Sequence, residues 1–332
     1  MVVTGPDRPD VEGGARAAAG DTDRAYLDLV HAAATMYHLE DATQAQVSER
    51  LGTSRTTVSR LLSDARRLGI VRIQVVRPQH ADPAQLAARL CELTGLAGVH
   101  LGAARASHLS ASLGPVVHDV LAGVGLDRGD VLLVSSGRTT SEIAQGPLPH
   151  LPGVRVAPTI GGIDQAQAWY QPNETARQVA EKVGGSPLFL FAPALPSAAL
   201  HEGLVGDPAI RRVLDAWEEA RCAVVGVGAP PARRTSLPSF VDTTDEVIMS
   251  SAGDVNSRFY DASGAPLPFR GADRLMATSL ERMRTLERCI AVAVGAEKVP
   301  SIVAGARAGY FSDLVTSVET ALALLDALTQ EG

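Results

Sequence analysis

The chain of 332 residues lacks most features of secreted, membrane-spanning and zinc-binding proteins. Its three cysteines, Cys91, Cys222 and Cys289, lie far apart, so cysteine alone can form neither a disulfide framework nor a zinc knuckle. No apolar run reaches the ~18 residues that span a bilayer, and residues 1–20 are too polar for a signal peptide. We therefore expect a soluble, cytoplasmic protein with no membrane partner.

The short motifs of common cofactor sites are also missing. The sequence has no metal-ligand spacing and no P-loop, and Gly226-Val227-Gly228 is too short to count as a dinucleotide-binding fingerprint. We therefore expect no metal ligands and no cofactor.

The charge is acidic in total but unevenly distributed. The chain carries 30 Lys and Arg against 37 Asp and Glu, a net charge of −7, which by itself argues against a nucleic-acid partner. Residues 41–77, however, carry seven Arg and three acidic residues, a charge of +4, which leaves −11 on the rest of the chain. The acidic total therefore hides a compact basic segment near the N-terminus.

The first part of the chain is predicted to be helical with a terminal strand. Residues 1–21 show no periodicity and are predicted to be a disordered tail. Apolar positions in residues 22–38 share one helical face. Thr43 and Ser54 are predicted N-caps of two further helices, and a strand is expected over residues 70–76.

Residues 44–62 fit a helix-turn-helix. Ser48 lies where the two helices must approach closely, and Gly52 lies at the turn, where a left-handed conformation is required. The predicted apolar wedge between the helices consists of Val47, Leu51, Val58 and Leu61.

The second of these helices has the composition of a DNA recognition helix. Arginine can bind guanine through two hydrogen bonds in the major groove, and hydroxyls suit phosphates or base edges. Arg66, Arg67 and Arg72 extend the basic face towards a predicted wing. The alternative is an ordinary helical hairpin with a solvated basic face. The predicted DNA-binding residues are Thr43, Gln44, Ser54, Arg55, Thr56, Thr57, Ser59 and Arg60.

The rest of the chain alternates short apolar runs with amphipathic segments, which predicts an α/β domain with a mostly parallel sheet. Pro83 opens a predicted helix over residues 83–94, within a linker region of residues 79–100. The predicted strands are residues 131–135, 154–160, 188–192, 222–227, 290–294 and 314–316, and further helices are expected over residues 173–183, 208–219 and 318–328.

Several predicted loops follow strands, where α/β sheets bind ligands. Gly137, Arg138, Thr139 and Thr140 lie between a strand and a helix, which suits a phosphate or a polyol. Each loop taken alone fits ordinary turn chemistry. A second loop after the next strand contains Gly161 and Gly162, which would let a ligand approach the backbone.

Asp254 and Lys298 are the most informative charges of this part. Asp254 lies in a predicted loop, and Lys298 opens a predicted helix, where the helix dipole disfavours a cation unless an anion compensates it. The alternative for both is a surface salt bridge. Gln165, Asp164 and Tyr170 are further candidates from the loop after Gly162.

Four stretches resemble the SorC family of bacterial sugar-responsive transcriptional regulators. Residues 33–76 resemble its DNA-binding domain, and residues 129–144 (GDVLLVSSGRTTSEIA), 253–264 (GDVNSRFYDASG) and 294–325 resemble its effector domain. The departures are Ser317, where the family usually has Asp, and Ser135-Ser136, where it often has an aromatic residue.

The resemblance implies an all-α winged helix-turn-helix domain (residues 22–78) followed by an α/β Rossmann-like effector domain (residues 101–330), which in the family is similar to phosphosugar isomerases. It implies operator DNA and a sugar or sugar-phosphate effector as partners, and assembly as a homodimer or homotetramer. It further implies that Asp254 accepts hydrogen bonds from sugar hydroxyls and that Lys298 binds a phosphate or hydroxyl.

Two alternatives to a regulator stay open at this point. An isomerase-like enzyme needs a paired acid and base, which Asp254 and Lys298 could supply, but no histidine lies in the candidate loops and the helix-turn-helix would be unexplained. An interaction module would use the helix-turn-helix to pair with protein. We therefore expect no catalytic residues and a DNA-binding regulator of carbohydrate metabolism genes.

Overall fold

The computed structural model describes residues 13–40, 42–71, 82–102 and 109–330, with side chains from residue 24 onward. The chain divides into two compact units, Met1–His80 and Ala81–Gly332. None of the helices in the described ranges is long and apolar enough to cross a membrane.

The described part of the first unit consists of three helices, α1 (Gly13–His38), α2 (Gln44–Arg50) and α3 (Arg55–Arg67). The first helix extends through residues 13–21 of the predicted tail, whereas residues 1–12 lie outside the described ranges. Most of the predicted strand over residues 70–76, including Arg72, also lies outside them. The predicted caps of the second and third helices, Thr43 and Ser54, both accept hydrogen bonds from first-turn amides.

The predicted wedge forms the core of this unit. Val47, Val58 and Leu61 are fully buried and Leu51 is partly buried, among apolar residues from all three helices. Gly52 adopts a left-handed conformation (φ 60°), as the turn requires. The hydroxyl of Ser48 donates to the carbonyl of Thr53 at 2.5 Å, which ties the end of α2 to the turn.

The second unit is an α/β domain. Its strands are β1 (Gly98–Gly102), β2 (Val131–Val134), β3 (Arg155–Pro158), β4 (Ser186–Pro187), β5 (Cys222–Gly226), β6 (Gly253–Val255), β7 (Arg258–Tyr260), β8 (Arg288–Val292) and β9 (Asp313–Ser317). Its helices are α4 (Pro83–Thr94), α5 (Leu109–Ser112), α6 (Gly114–Ala122), α7 (Arg138–Gln145), α8 (Pro172–Val183), α9 (Ala198–Gly206), α10 (Pro208–Glu219), α11 (Glu246–Met249), α12 (Leu280–Thr285), α13 (Val299–Arg307) and α14 (Val318–Gln330). Single 3₁₀ turns occupy Ala168–Tyr170, Pro231–Arg233, Ala272–Arg274 and Ala296–Lys298.

Seven strands form one parallel sheet in the order β1-β9-β8-β5-β2-β3-β4, and β6 and β7 form a separate antiparallel hairpin. The central strands are continuous apolar runs because both faces of the sheet are covered, each by its own apolar cluster. The chain leaves β2 towards β3 on one side and returns to β5 on the other, which creates a topological switch point where ligands bind in such sheets.

The structure differs from the sequence prediction at several places in this unit, and the helices α5, α6, α9, α11 and α12 were not predicted. The predicted linker helix, α4, packs against β1 and α14, with Leu86 and Leu90 in the core, so it belongs to the α/β unit. The strand predicted over residues 188–192 pairs two residues earlier, as β4. Neither β1 nor the β6–β7 hairpin was predicted, and β1 lies partly before the expected domain start at residue 101.

Candidate functional site

A cavity of about 470 Å³ lies at the switch point of the sheet. Its walls come from the loops that follow β2, β3, β5 and β8 and from the β6–β7 hairpin. These loops converge because the strands are parallel and their carboxyl ends meet at one edge.

The loop after β2 supplies one wall. Gly137 has a φ of 128°, and its amide donates to the carbonyl of Trp169 at 2.8 Å. Arg138 begins α7, and its guanidinium carbon lies 5.2 Å from the centroid of the Trp169 ring. This cation–π contact holds the Arg138 side chain at the cavity, beside the helix start that favours an anion.

Lys298 faces this wall from the loop after β8. It ends the 3₁₀ turn and caps α13, and its Nζ donates to Oγ1 of Thr139 at 3.4 Å. Burial, with a further contribution from the charge of Arg234, lowers the pKa of Lys298 to about 8. Within the described part of the chain its hydrogen-bond partner is a hydroxyl, and the carboxylates of Glu297 and Asp254 offset the effect of burial on its pKa only in part.

Asp254 lies inside strand β6, not in a loop as the sequence predicted, and it is nearly buried. Its Oδ1 accepts from Nη1 of Arg234 at 2.9 Å, and its Oδ2 accepts from the amide of Ser257 at 3.0 Å. A Cβ on Gly228 would collide with the Asp254 carboxylate and lie 2.7 Å from the Arg234 guanidinium. The sequence Gly226-Val227-Gly228 therefore places backbone directly against this ion pair.

The turn of the β6–β7 hairpin is strained and buried. Asn256 and Ser257 both have positive φ values, 53° and 59°, a conformation that costs a non-glycine residue about 1–2 kcal/mol. The Asn256 side chain offsets part of this cost, because it accepts from Thr159 at 2.8 Å and donates to Thr278 at 2.7 Å. Both turn residues line the cavity.

The predicted effector residues fall into two groups. Those that line the cavity are Gly137, Arg138, Thr139, Thr140, Asp254 and Lys298, together with the weaker candidate Tyr170. Those that do not are Gly161, Gly162, Gln165 and Asp164.

Local packing explains why the second group lies outside the lining. A Cβ on Gly161 would lie 2.6 Å from the carbonyl oxygen of Ala192, so this glycine allows two backbone segments to approach and does not serve a ligand. Gly162 exchanges backbone hydrogen bonds with residues 192 and 194. Gln165 donates to the carbonyl of Leu237 at 3.1 Å, which holds the loop above the cavity.

The lining residues that the sequence reasoning missed include Asn256, Ser257, Trp169, Arg233 and Arg234. Asn256 and Ser257 lie within one of the stretches that carried the family resemblance, so the signal was present. Trp169 and Arg233 lie in single 3₁₀ turns and Arg234 directly follows one, all in stretches without sequence periodicity, so only the fold brings them to the cavity.

The chemistry of the lining suits a small polar anion with hydroxyl groups. Four cationic side chains (Arg138, Arg233, Arg234, Lys298) face three carboxylates (Glu142, Asp254, Glu297), an excess of one positive charge. Burial raises the pKa of the Glu142 carboxyl, because the charged form loses solvation. Among the described residues no histidine lines the cavity.

The predicted DNA-binding residues form a surface on the first unit. Arg55, Thr56, Ser59 and Arg60 of α3 are exposed, as are Thr43 and Ser54, whereas Gln44 and Thr57 are partly buried. An exposed helix start is suited to a phosphate, and the two arginines are suited to base edges.

Several polar groups of this surface already have intramolecular roles. Ser54 accepts from the Thr57 amide at 3.1 Å as the N-cap of α3. Thr43 forms a capping box with Gln46. Arg67, which was predicted to extend the basic face, forms an ion pair with Asp64 at 2.9 Å.

Three comparisons with known proteins agree. The family model described as "Putative sugar-binding domain" matches residues 65–326. The chain is 32% identical over 318 residues to a deoxyribonucleoside regulator from Bacillus subtilis (strain 168), covering 92% of this chain and 100% of that protein. It is 27% identical over 318 residues to the sorbitol operon regulator of Klebsiella pneumoniae, covering 90% and 98%. The crystal structure of full-length sorbitol operon regulator SorC from Klebsiella pneumoniae matches with a TM-score of 0.66 and 27% identity, over 90% of this chain and 98% of that one.

Proposed function

Because the chain belongs to the SorC family, and is therefore a transcriptional regulator with a sugar-binding domain, we propose that its cavity binds a sugar or sugar-phosphate effector and that its first unit binds operator DNA. The genes it controls would be those of carbohydrate metabolism. The convergence of Lys298 and Thr139 from two separate strand ends in a cationic cavity is the observation that carries the effector proposal.

The roles of the cavity residues follow from their positions. Lys298, Arg138 and the start of α7 would hold the most anionic group of the effector. Asp254 is held in place by Arg234 and Ser257, so its remaining acceptor capacity would be fixed in direction for sugar hydroxyls.

The DNA-binding proposal rests on α3. Its wedge packing orients the helix, and Arg55 and Arg60 would reach base edges while Thr56 and Ser59 contact phosphates or bases. We propose that the segment after α3 completes a winged helix-turn-helix, and that the protein acts in the cytoplasm as a homodimer or homotetramer. Effector binding would then favour one of two arrangements of the recognition helices.

The effector proposal is tested by thermal unfolding with a panel of neutral sugars and their phosphates. A ligand that binds the folded state at 100 times its Kd stabilises it by about 2.7 kcal/mol. We expect at least one panel member to raise the unfolding midpoint and to release the protein from promoter DNA of its neighbouring genes in a gel-shift assay. A midpoint shift without release would contradict control by that ligand.

The DNA proposal is tested by Arg55→Ala in the same gel-shift assay. Loss of one base contact should weaken operator binding by about 1–3 kcal/mol, with a smaller effect on random DNA. Arg89→Ala, which removes an exposed arginine of the second unit that pairs with Glu92, is the matched control and should bind like the wild type. Unchanged operator selectivity in Arg55→Ala would show that another element reads the sequence.

The isomerase-like alternative has little support. The relatives named above are regulators, and the candidate base Asp254 is held in an ion pair. Turnover of any sugar phosphate of the panel, detected as loss of that substrate, would favour the isomerase-like alternative.

A further inference from the structure

A polar contact joins α1 to α3 in the first unit. The hydroxyl of Tyr26 on α1 donates to Oδ2 of Asp64 on α3 at 2.6 Å. Tyr26 also packs against the apolar core of this unit, so its hydroxyl has a fixed place. Asp64 is the one acidic residue of α3, the helix that is proposed to contact DNA, where phosphates repel a carboxylate. An acidic side chain at this position is unfavourable for DNA binding unless it serves the basic residues beside it.

Both oxygens of the Asp64 carboxylate have donors. Oδ2 accepts from Tyr26, and Oδ1 accepts from Nε and Nη2 of Arg67 at 3.1 and 2.9 Å. The hydrogen bond from Tyr26 and, after it, the one from Arg67 lower the pKa of Asp64, because both stabilise the charged form. The Asp64 side chain is only 17% exposed. The carboxylate is therefore charged, covered and already bonded at each oxygen.

Arg60 is the cation that a free Asp64 carboxylate would attract. The two residues are four positions apart on α3, a spacing that places their side chains next to one another on the helix surface. In the described structure, however, Asp64 pairs with Arg67 and not with Arg60. Arg60 lies close by, because the hydrogen bond to Asp64 raises the pKa of Tyr26 and the guanidinium of Arg60 opposes that rise.

Two placements of the Arg60 side chain exclude each other. A contact with a base edge requires the guanidinium to extend away from the helix into the groove, whereas an ion pair with Asp64 would fold it along the helix. Arg67 occupies Oδ1, and the Tyr26 hydroxyl occupies Oδ2, the acceptor that such an ion pair would use. The exposed Arg60 side chain is thus left available to a ligand of the first unit.

We propose that Tyr26 is a positioning residue for DNA recognition: its hydroxyl occupies the Asp64 carboxylate and so leaves Arg60 free to reach a base edge. The inference rests on the proposed DNA binding of α3. It adds to the recognition surface a residue of α1, which lies outside the helix-turn-helix. Without the hydroxyl, Arg60 pairs with Asp64 and its base contact is lost.

Tyr26→Phe tests the proposal because it removes only the hydroxyl. In gel-shift titrations of the full chain, we expect it to weaken binding to promoter DNA of the neighbouring genes about fivefold, the lower end of the cost of one lost base contact. Binding to a random duplex of equal length should change less than about twofold, because phosphate contacts dominate non-specific binding. The ratio of the two dissociation constants measures selectivity.

Tyr37→Phe is the matched control. It removes the same atom from the same helix, about three turns further along α1, where the Tyr37 ring packs edge-on against His38 with the centroids 5.0 Å apart. This variant should bind both DNAs like the wild type. Thermal unfolding of each variant shows that it is folded.

Two further backgrounds separate positioning from a general loss of structure. Asp64→Asn removes the charge that would attract Arg60, so adding Tyr26→Phe to Asp64→Asn should not lower selectivity any further. In Arg60→Ala the base contact is already absent, so Tyr26→Phe should again have no additional effect on selectivity. A hydroxyl that only stabilised the contact between α1 and α3 would weaken binding equally in every background.

Three results would overturn the proposal. If Arg60→Ala weakens promoter binding and Tyr26→Phe does not, Tyr26 has no positioning role and the proposed DNA binding by α3 stands. If Tyr26→Phe weakens binding equally with and without Arg60, the hydroxyl has a structural role only. If Arg60→Ala leaves promoter binding unchanged, Arg60 reads no base, and the DNA-binding role proposed for this residue fails as well.

Discussion

At the scale of single residues, the partly buried position of Lys298 has a cost to the fold. Burial lowers the pKa of Lys298 to about 8, so the folded protein disfavours the charged form of this side chain. In the unfolded chain the side chain stays charged up to its ordinary pKa of 10.5. A base with a lowered folded pKa destabilises the protein fully below the folded pKa, and the penalty fades as pH rises towards the unfolded value. An effector anion would remove this penalty.

Lys298→Met should therefore be more stable than the wild type at pH 7 and should lose its response to an anionic effector. The gain in unfolding free energy should shrink as pH rises from 8 to 10.5, because the wild-type lysine then becomes neutral. Denaturant unfolding at pH 7, 9 and 10 measures it. Lys182→Met is the control, since Lys182 bonds to the carbonyls of Gln145 and Gly146 and its loss should destabilise. A Lys298→Met protein less stable than the wild type at pH 7 would contradict this reading.

Gly228 and Gly226 offer a matched pair of substitutions two residues apart. Gly228→Ala should destabilise the protein by about 1–3 kcal/mol, because its methyl group displaces the Arg234–Asp254 ion pair. Gly226→Ala should be close to neutral, since its Cβ would lie 3.9 Å from its nearest neighbours. Chemical unfolding compares them. Equal stability of the two variants would mean that the ion pair can move without loss.

At the scale of elements, the start of α3 has two roles that one substitution can separate. The Ser54 hydroxyl caps the helix, and the same helix start is proposed to face a DNA phosphate. The residues that orient this helix are apolar and buried, so capping and DNA contact can be changed without disturbing its packing.

Ser54→Ala should lower stability by about 1 kcal/mol through loss of the cap. Ser54→Asp should keep that stability, because aspartate also caps, yet weaken binding to operator DNA through charge repulsion. Unfolding and gel-shift titrations give the two readouts. Ser279→Asp, the same change at the cap of α12, is the control and should leave DNA binding unchanged. Operator binding by Ser54→Asp at wild-type strength would show that this helix start lies away from phosphate.

Elements with strong local signals were predictable from the sequence. Pro83 at the start of α4 and Asp207-Pro208 at the start of α10 mark their helices, and both have the predicted bounds. Strand β1 was missed because it is a short edge strand whose register depends on β9. The hairpin was missed because its turn carries Asn256 and Ser257 instead of glycine.

The site residues also divide into those that a local sequence signal predicts and those that depend on the fold. Residues that directly follow a predicted strand, such as Thr139 and Lys298, reached the cavity because strand ends meet at one edge. Gly161 had the same sequence signal, but neighbouring backbone fills the space beside it. Arg234 and Trp169 depend on how long loops fold back, which no local pattern encodes.

At the scale of the whole molecule, the basic segment offers less free positive charge at its surface than its number of arginines suggests. Of the seven arginines in residues 41–77, Arg50 pairs with Glu40 at 2.8 Å and Arg67 pairs with Asp64 at 2.9 Å. The acidic charge of the remaining chain opposes non-specific attachment to DNA. These two ion pairs reduce the free positive charge of the described part of the first unit, which together with a repelling body favours selective over general binding.

The cavity also has a consequence for gene expression. Its lining begins at Leu109 and is complete only with Lys298, although the first compact unit ends at His80. During translation the first unit therefore emerges long before the last residue of the cavity lining. Stop codons and frameshifts between residues 81 and 298 spare the coding sequence of the first unit and remove part of the cavity. Such alleles would yield chains without an intact cavity, and under the proposed function any that fold would not respond to the effector.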